Sequence, residues 1–69
     1  MEILAKRMRE VRKAKGLRQS DTAEILDVSL NSYQRYEANE REPTAPFLAA
    51  FAAYFHVSAD YLLGLTDQR

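Results

Sequence analysis

Asn31, Gln34 and Arg35 stand within five positions of one another, with Leu30 just before them. Asn and Gln each carry a paired donor and acceptor, and Arg carries a planar fork of donors. On a helix the pairs 30/34 and 31/35 are one turn apart and share a face. Little else in the chain is equipped for chemistry. There is no cysteine, which excludes a disulfide framework, a thiolate zinc site and a thiol nucleophile. His56 is the single histidine, too little for a metal cluster or for acid–base catalysis. Glu37, Glu40 and Glu42 lack the alternating oxygen-ligand spacing of a calcium loop. Ser20 and Asp21 are neighbouring acceptors at the start of a helix, not a hydrolase constellation. No catalytic residue, metal ligand or cofactor site is expected, and the chain does not read as an enzyme.

Charge is the second signal. Ten Lys and Arg balance ten Asp and Glu, yet residues 1–18 hold seven cations against Glu2 and Glu10. Residues 19–69 hold Arg35, Arg41 and Arg69 against eight acids. Such segregation fits either a surface that meets a polyanion or a basic helix that is merely solvated.

The elements that must position these groups are helical. Sixty-nine residues allow one domain, 1–69, close to the smallest size that folds on a single core. Leu4, Met8 and Val11 recur at helical spacing up to Gly16, a left-handed helix end. A second helix is predicted over about 19–26, and Ser29 caps a third over about 29–37. Tyr33 and Tyr36 face its inner side. Residues 38–43 read as a loop, Thr44 caps a fourth helix through Phe55, and Ser58 caps a fifth ending at Gly64. Phe51, Phe55 and Leu62 join the core. The fold class is therefore all-α, a compact five-helix domain. Asp27-Val28 is too short a connection for antiparallel packing, so the second and third helices must cross steeply. That is the helix-turn-helix geometry, in which the second helix enters a DNA major groove. The apolar stretch from Pro46 to Phe55 is too short to span a membrane, and the start has no apolar leader, so a cytoplasmic location is expected.

With these elements in place, the chain resembles the XRE-type, phage-repressor-like (Cro/CI-type) helix-turn-helix family from about Leu4 to Gly64. The motifs are Arg7-Met8-Arg9-Glu10-Val11-Arg12, Lys15-Gly16-Leu17-Arg18-Gln19, Leu26-Asp27-Val28-Ser29, Arg35-Tyr36-Glu37, Arg41-Glu42-Pro43 and Val57-Ser58-Ala59-Asp60-Tyr61-Leu62-Leu63-Gly64. The resemblance implies the lambda-repressor-like fold. It also implies that Gln19 hydrogen-bonds a phosphate and braces the recognition helix, that Ser29 caps that helix, and that Arg12 pairs with Glu37. Several positions depart from the family pattern. Leu30 stands where a polar reader is common, Arg18 replaces a Ser/Thr cap, and Asp27 and His56 fall where glycine is frequent. The loop after the third helix carries Glu40 and Glu42 where relatives often have lysine.

On this basis Asn31, Gln34 and Arg35 are expected to contact base edges, with Leu30 limited to a thymine methyl. Lys15, Arg18, Gln19, Ser29 and Arg41 are expected to contact phosphates. Arg12 and Glu37 are expected to form a partly buried structural ion pair. The fourth helix is apolar almost all round, so Phe47 and Tyr54 are expected to face outward with Leu65 and form a homodimer interface. The function expected is that of a sequence-specific transcriptional regulator, a repressor binding a short inverted repeat in double-stranded DNA as a homodimer. Neither a membrane nor a small-molecule ligand is expected as partner. The neutral net charge and the two loop glutamates favour an alternative, a protein-interaction module of antitoxin-like kind on the same fold with weak DNA binding.

Overall fold

A computed structural model describes residues 1–69. Five helices follow in order: α1 (Glu2–Ala14), α2 (Gln19–Ile25), α3 (Leu30–Glu37), α4 (Ala45–Phe55) and α5 (Ala59–Leu62). The stops and starts are those that the local chemistry dictates. Gly16, at φ 70°, turns the chain after α1. Ser29 Oγ accepts from Ser32 N–H at 3.0 Å, Thr44 Oγ1 from Phe47 N–H at 3.2 Å, and Ser58 Oγ from Tyr61 N–H at 3.0 Å. Each of these caps satisfies a donor left free in a first helical turn. Two helices are shorter than expected. Leu26 is the C-cap of α2, and α5 closes at Leu62, two residues before Gly64.

Asp27 and His56 both adopt left-handed backbone, at φ 57° and 56°, where a glycine would be unstrained. Asp27 lets α2 stop and α3 restart almost at once, with Val28 N–H bonded back to Ala23 C=O at 3.0 Å. This tight link brings α3 back against α2.

The core joins Leu4, Met8 and Val11 of α1 to Ala23, Tyr33, Tyr36, Phe51, Phe55, Tyr61 and Leu62. One expectation fails here. Phe47 is only 6% exposed and belongs to the core, not to an outward face. Its ring lies 4.9 Å from Tyr36 and 6.2 Å from Phe51 between centroids. Because α4 starts immediately after the loop from α3, its first turn lies on the inner tyrosines of α3. The buried stripe of α4 is thus the i,i+4 ladder Phe47, Phe51, Phe55, with Leu48 and Ala52 on its flank. Tyr54 and Leu65 remain exposed.

Arg7 makes a fastening that hydrophobic periodicity does not reveal. It donates to the carbonyls of Tyr61 and Thr66 and to Asp67 Oδ1, and its guanidinium lies 4.2 Å from the Tyr61 ring centre. The segment after α5 is held against α1 by these bonds. No helix is long and apolar enough to cross a membrane.

Candidate nucleic-acid interface

Helix α3 divides cleanly. Tyr33, Tyr36 and Glu37 are buried, and Leu30, Asn31, Gln34 and Arg35 are exposed together on the opposite side. Leu30 is 41% exposed, an apolar side chain among the polar ones of this face.

The anchor of that helix is Glu37. Arg12 clasps its carboxylate with Nε on Oε2 at 2.7 Å and Nη2 on Oε1 at 3.0 Å, and uses Nη1 to hold the Leu17 carbonyl at 2.8 Å. The expected Arg12–Glu37 pair is thus present, and it is buried, with side-chain exposures of 9% and 1%. Three further groups converge on Glu37, and of these the resemblance anticipated only Gln19, as a brace of the recognition helix. The Tyr33 hydroxyl donates to Oε2, Gln19 Nε2 donates to Oε1 at 3.0 Å, and Arg9 Nη1 donates to the Glu37 backbone carbonyl. Spacing held the clues to two of them. Tyr33 is one turn before Glu37, and Arg9 is one turn before Arg12 on the same face of α1.

Electrostatics follow from this packing. Burial pushes the Glu37 carboxyl up, but hydrogen bonds from Arg12, Tyr33 and Gln19 outweigh it and hold the group below its ordinary range. The bond to Glu37 raises Arg12. Burial, then the neighbouring carboxylate, pushes the Tyr33 phenol far up, so it stays an O–H donor. No buried side-chain polar atom lacks a partner.

Gln19 extends the network to the surface. Its amide nitrogen faces Glu37, which leaves Oε1 to accept from Gln34 Nε2 at 3.4 Å. A chain of contacts therefore runs from Arg12 through Glu37 and Gln19 to Gln34 on the exposed face. The other candidate contacts are less united. Ser29 uses its oxygen to cap α3. Lys15 and Arg41 are exposed, and Lys15 lines an open cleft of about 380 Å³ with Leu17, Tyr54 and His56. Arg18 is bound to Asp21.

Two short helices joined by a left-handed turn, the second locked from behind and polar in front, define a helix-turn-helix domain. The sequence pattern of the helix-turn-helix family matches residues 8–62, and the chain belongs to that family, in its XRE-type, phage-repressor-like branch. Among curated proteins of Bacillus subtilis (strain 168), it is 40% identical over 65 residues to an uncharacterized HTH-type transcriptional regulator, YobD, covering 94% of this chain and 58% of that protein. It is 38% identical over 61 residues to the HTH-type transcriptional regulator ImmR, covering 88% of this chain and 48% of that one. It is 35% identical over 63 residues to the HTH-type transcriptional regulator AnsR, with 91% and 54% covered. The chain spans about half the length of the curated relatives it matches.

Proposed function

We propose that this domain is the DNA-reading part of a transcriptional regulator, and that it represses by occupying a short inverted repeat in double-stranded DNA as a homodimer. The observation that carries this reading is the exposed face of α3. Leu30, Asn31, Gln34 and Arg35 lie on one side of a helix whose other side is fixed by a buried ion pair. Leu30 and Asn31 fall in the first turn, the part of a recognition helix that goes deepest into the groove. Asn31 and Gln34 match the N6 and N7 positions of adenine, Arg35 matches the O6 and N7 positions of guanine, and Leu30 favours a thymine methyl. Gln19, Ser29, Lys15, Arg18 and Arg41 supply backbone contacts that carry no sequence information. The homodimer would form through Tyr54, within α4, and Leu65, after α5, the two most exposed of the large apolar side chains.

Selection from a random pool of duplexes tests this. Enrichment of a palindrome is the expected result. Asn31→Ala should then change the preferred base at one position per half-site, costing about 1–3 kcal/mol against the original sequence. A second reading, a protein-interaction module, draws on the exposed Glu40 and Glu42 beside the C-terminal end of α3. Binding to generic DNA that falls steeply with salt supports the DNA reading, and flat, negligible binding supports the other.

A further inference from the structure

Arg18 ends in a two-point clasp. Its Nε donates to Asp21 Oδ2 at 3.0 Å and its Nη2 to Oδ1 at 2.9 Å, while its backbone N–H donates to Oδ2 at 2.9 Å. The guanidinium is 81% exposed and the carboxylate 31%. The pair sits beside Gln19, the residue that reaches Gln34 on the exposed face of α3.

The geometry points to Asp21 as an internal competitor of DNA phosphate for Arg18, a carboxylate that restrains affinity for DNA of any sequence and leaves base reading on α3 untouched. This rests on the proposed DNA-binding function. A phosphate diester and a carboxylate recognise a guanidinium through the same pair of parallel N–H donors. Asp21 already fills the Nε–Nη2 edge, so a phosphate must either displace it or settle on the remaining donors. Asp21 cannot follow Arg18 outward, because the same carboxylate oxygen is tied to the backbone N–H that opens α2. The ion pair also cancels the charge of Arg18 where it stands. Generic affinity grows with the number of cations free to displace counterions, so a neutralised arginine contributes little to it. Base contacts on α3 are unaffected, so affinity falls alike for every sequence and the choice among sequences stays with α3.

The test uses the complete 69-residue chain and a fluorescent duplex of mixed sequence, titrated over a series of salt concentrations. Asp21→Asn removes the charge and keeps an oxygen to accept the Arg18 backbone N–H. It should bind about fivefold tighter at 0.15 M salt, the value of one added phosphate contact, with a log–log salt slope steeper by about one unit. In an Arg18→Ala background the same change should gain less than about twofold, since the donor being competed for is gone. An equal gain in both backgrounds would overturn the inference, because Asp21 would then repel DNA without occupying Arg18. Weaker binding by Asp21→Asn would overturn it too, showing that Asp21 aims Arg18 at DNA. Asp21→Ser, whose hydroxyl also accepts the cap bond, guards against a loss of folding peculiar to asparagine. If no variant binds duplex at low salt, the DNA reading itself falls. Salt-dependent binding by the parent chain with no effect of Asp21→Asn overturns the present inference alone.

Discussion

At the scale of single residues, Glu37 decides how the exposed face of α3 is held. One carboxylate receives Arg12, Tyr33 and Gln19, and its own backbone carbonyl receives Arg9. Replacing it by glutamine strands the guanidinium of Arg12, which is buried and has no other carboxylate partner. Glu37→Gln should cost about 3–5 kcal/mol, the range for breaking a buried pair from one side. The loss should depend on pH in a defined direction. The carboxyl of folded Glu37 lies below its ordinary value of 4.5, so the unfolded chain binds its proton first as pH falls. The stabilisation is therefore complete above 4.5 and disappears as pH drops through the lower folded value. Thermal melts of parent and variant should stay a constant distance apart from neutral pH down to that range, then converge. Equal melting temperatures at pH 7 would show that the pair contributes nothing.

At the scale of elements, the helices are defined by their ends more than by their middles. Capping by Ser29, Thr44 and Ser58 starts three of the five, and left-handed residues stop them. Where the stop is His56, the backbone bears a penalty of about 1–2 kcal/mol that glycine would not. Glycine gives back about 0.5–1 kcal/mol through the larger entropy of the unfolded chain. His56→Gly should therefore stabilise by roughly 0.5–1 kcal/mol, which raises Tm by several degrees in a domain of this size. Asp27→Gly should gain less, since aspartate tolerates the left-handed region better than most residues. A calorimetric scan in which His56→Gly melts at or below the parent would show that the His56 side chain contributes more than its backbone costs.

At the scale of the whole molecule, the exposed large apolar side chains are Met1, Ile25, Leu30, Tyr54 and Leu65 once Phe47 is assigned to the core. Phe47→Ala should cost about 3–5 kcal/mol, enough to unfold much of the population in so marginal a domain. Leu65 is 74% exposed, and Leu65→Glu should leave Tm near that of the parent. Together with Tyr54→Glu, it should abolish pairing of two protomers on an inverted repeat while each half-site is still bound. Sedimentation of the protein–DNA complex at micromolar concentration reads this directly. A parent chain that loads one protomer per site throughout would refute the homodimer.

The helices, their caps and the outward set Leu30, Asn31, Gln34 and Arg35 were legible in the chain. Each is fixed by bonds and spacings local to a few residues, and local chemistry is written in order along a sequence. The left-handed turns at Asp27 and His56 were legible through resemblance, as positions where the family often has glycine. The Arg12–Glu37 pair was legible only through resemblance, since nothing in a spacing of 25 residues predicts a contact. Only the tertiary structure decided the rest. The inward face of α4 depends on how the loop from α3 delivers its first turn, and a helix apolar almost all round carries no signal of which stripe is buried. Gln19 bridging Glu37 to Gln34, Arg9 closing the end of α3, and Arg7 fastening the segment after α5 join residues far apart in the chain. Such contacts exist only once α1, α2 and α3 have crossed, because their partners are chosen by packing in three dimensions and not by order along the chain.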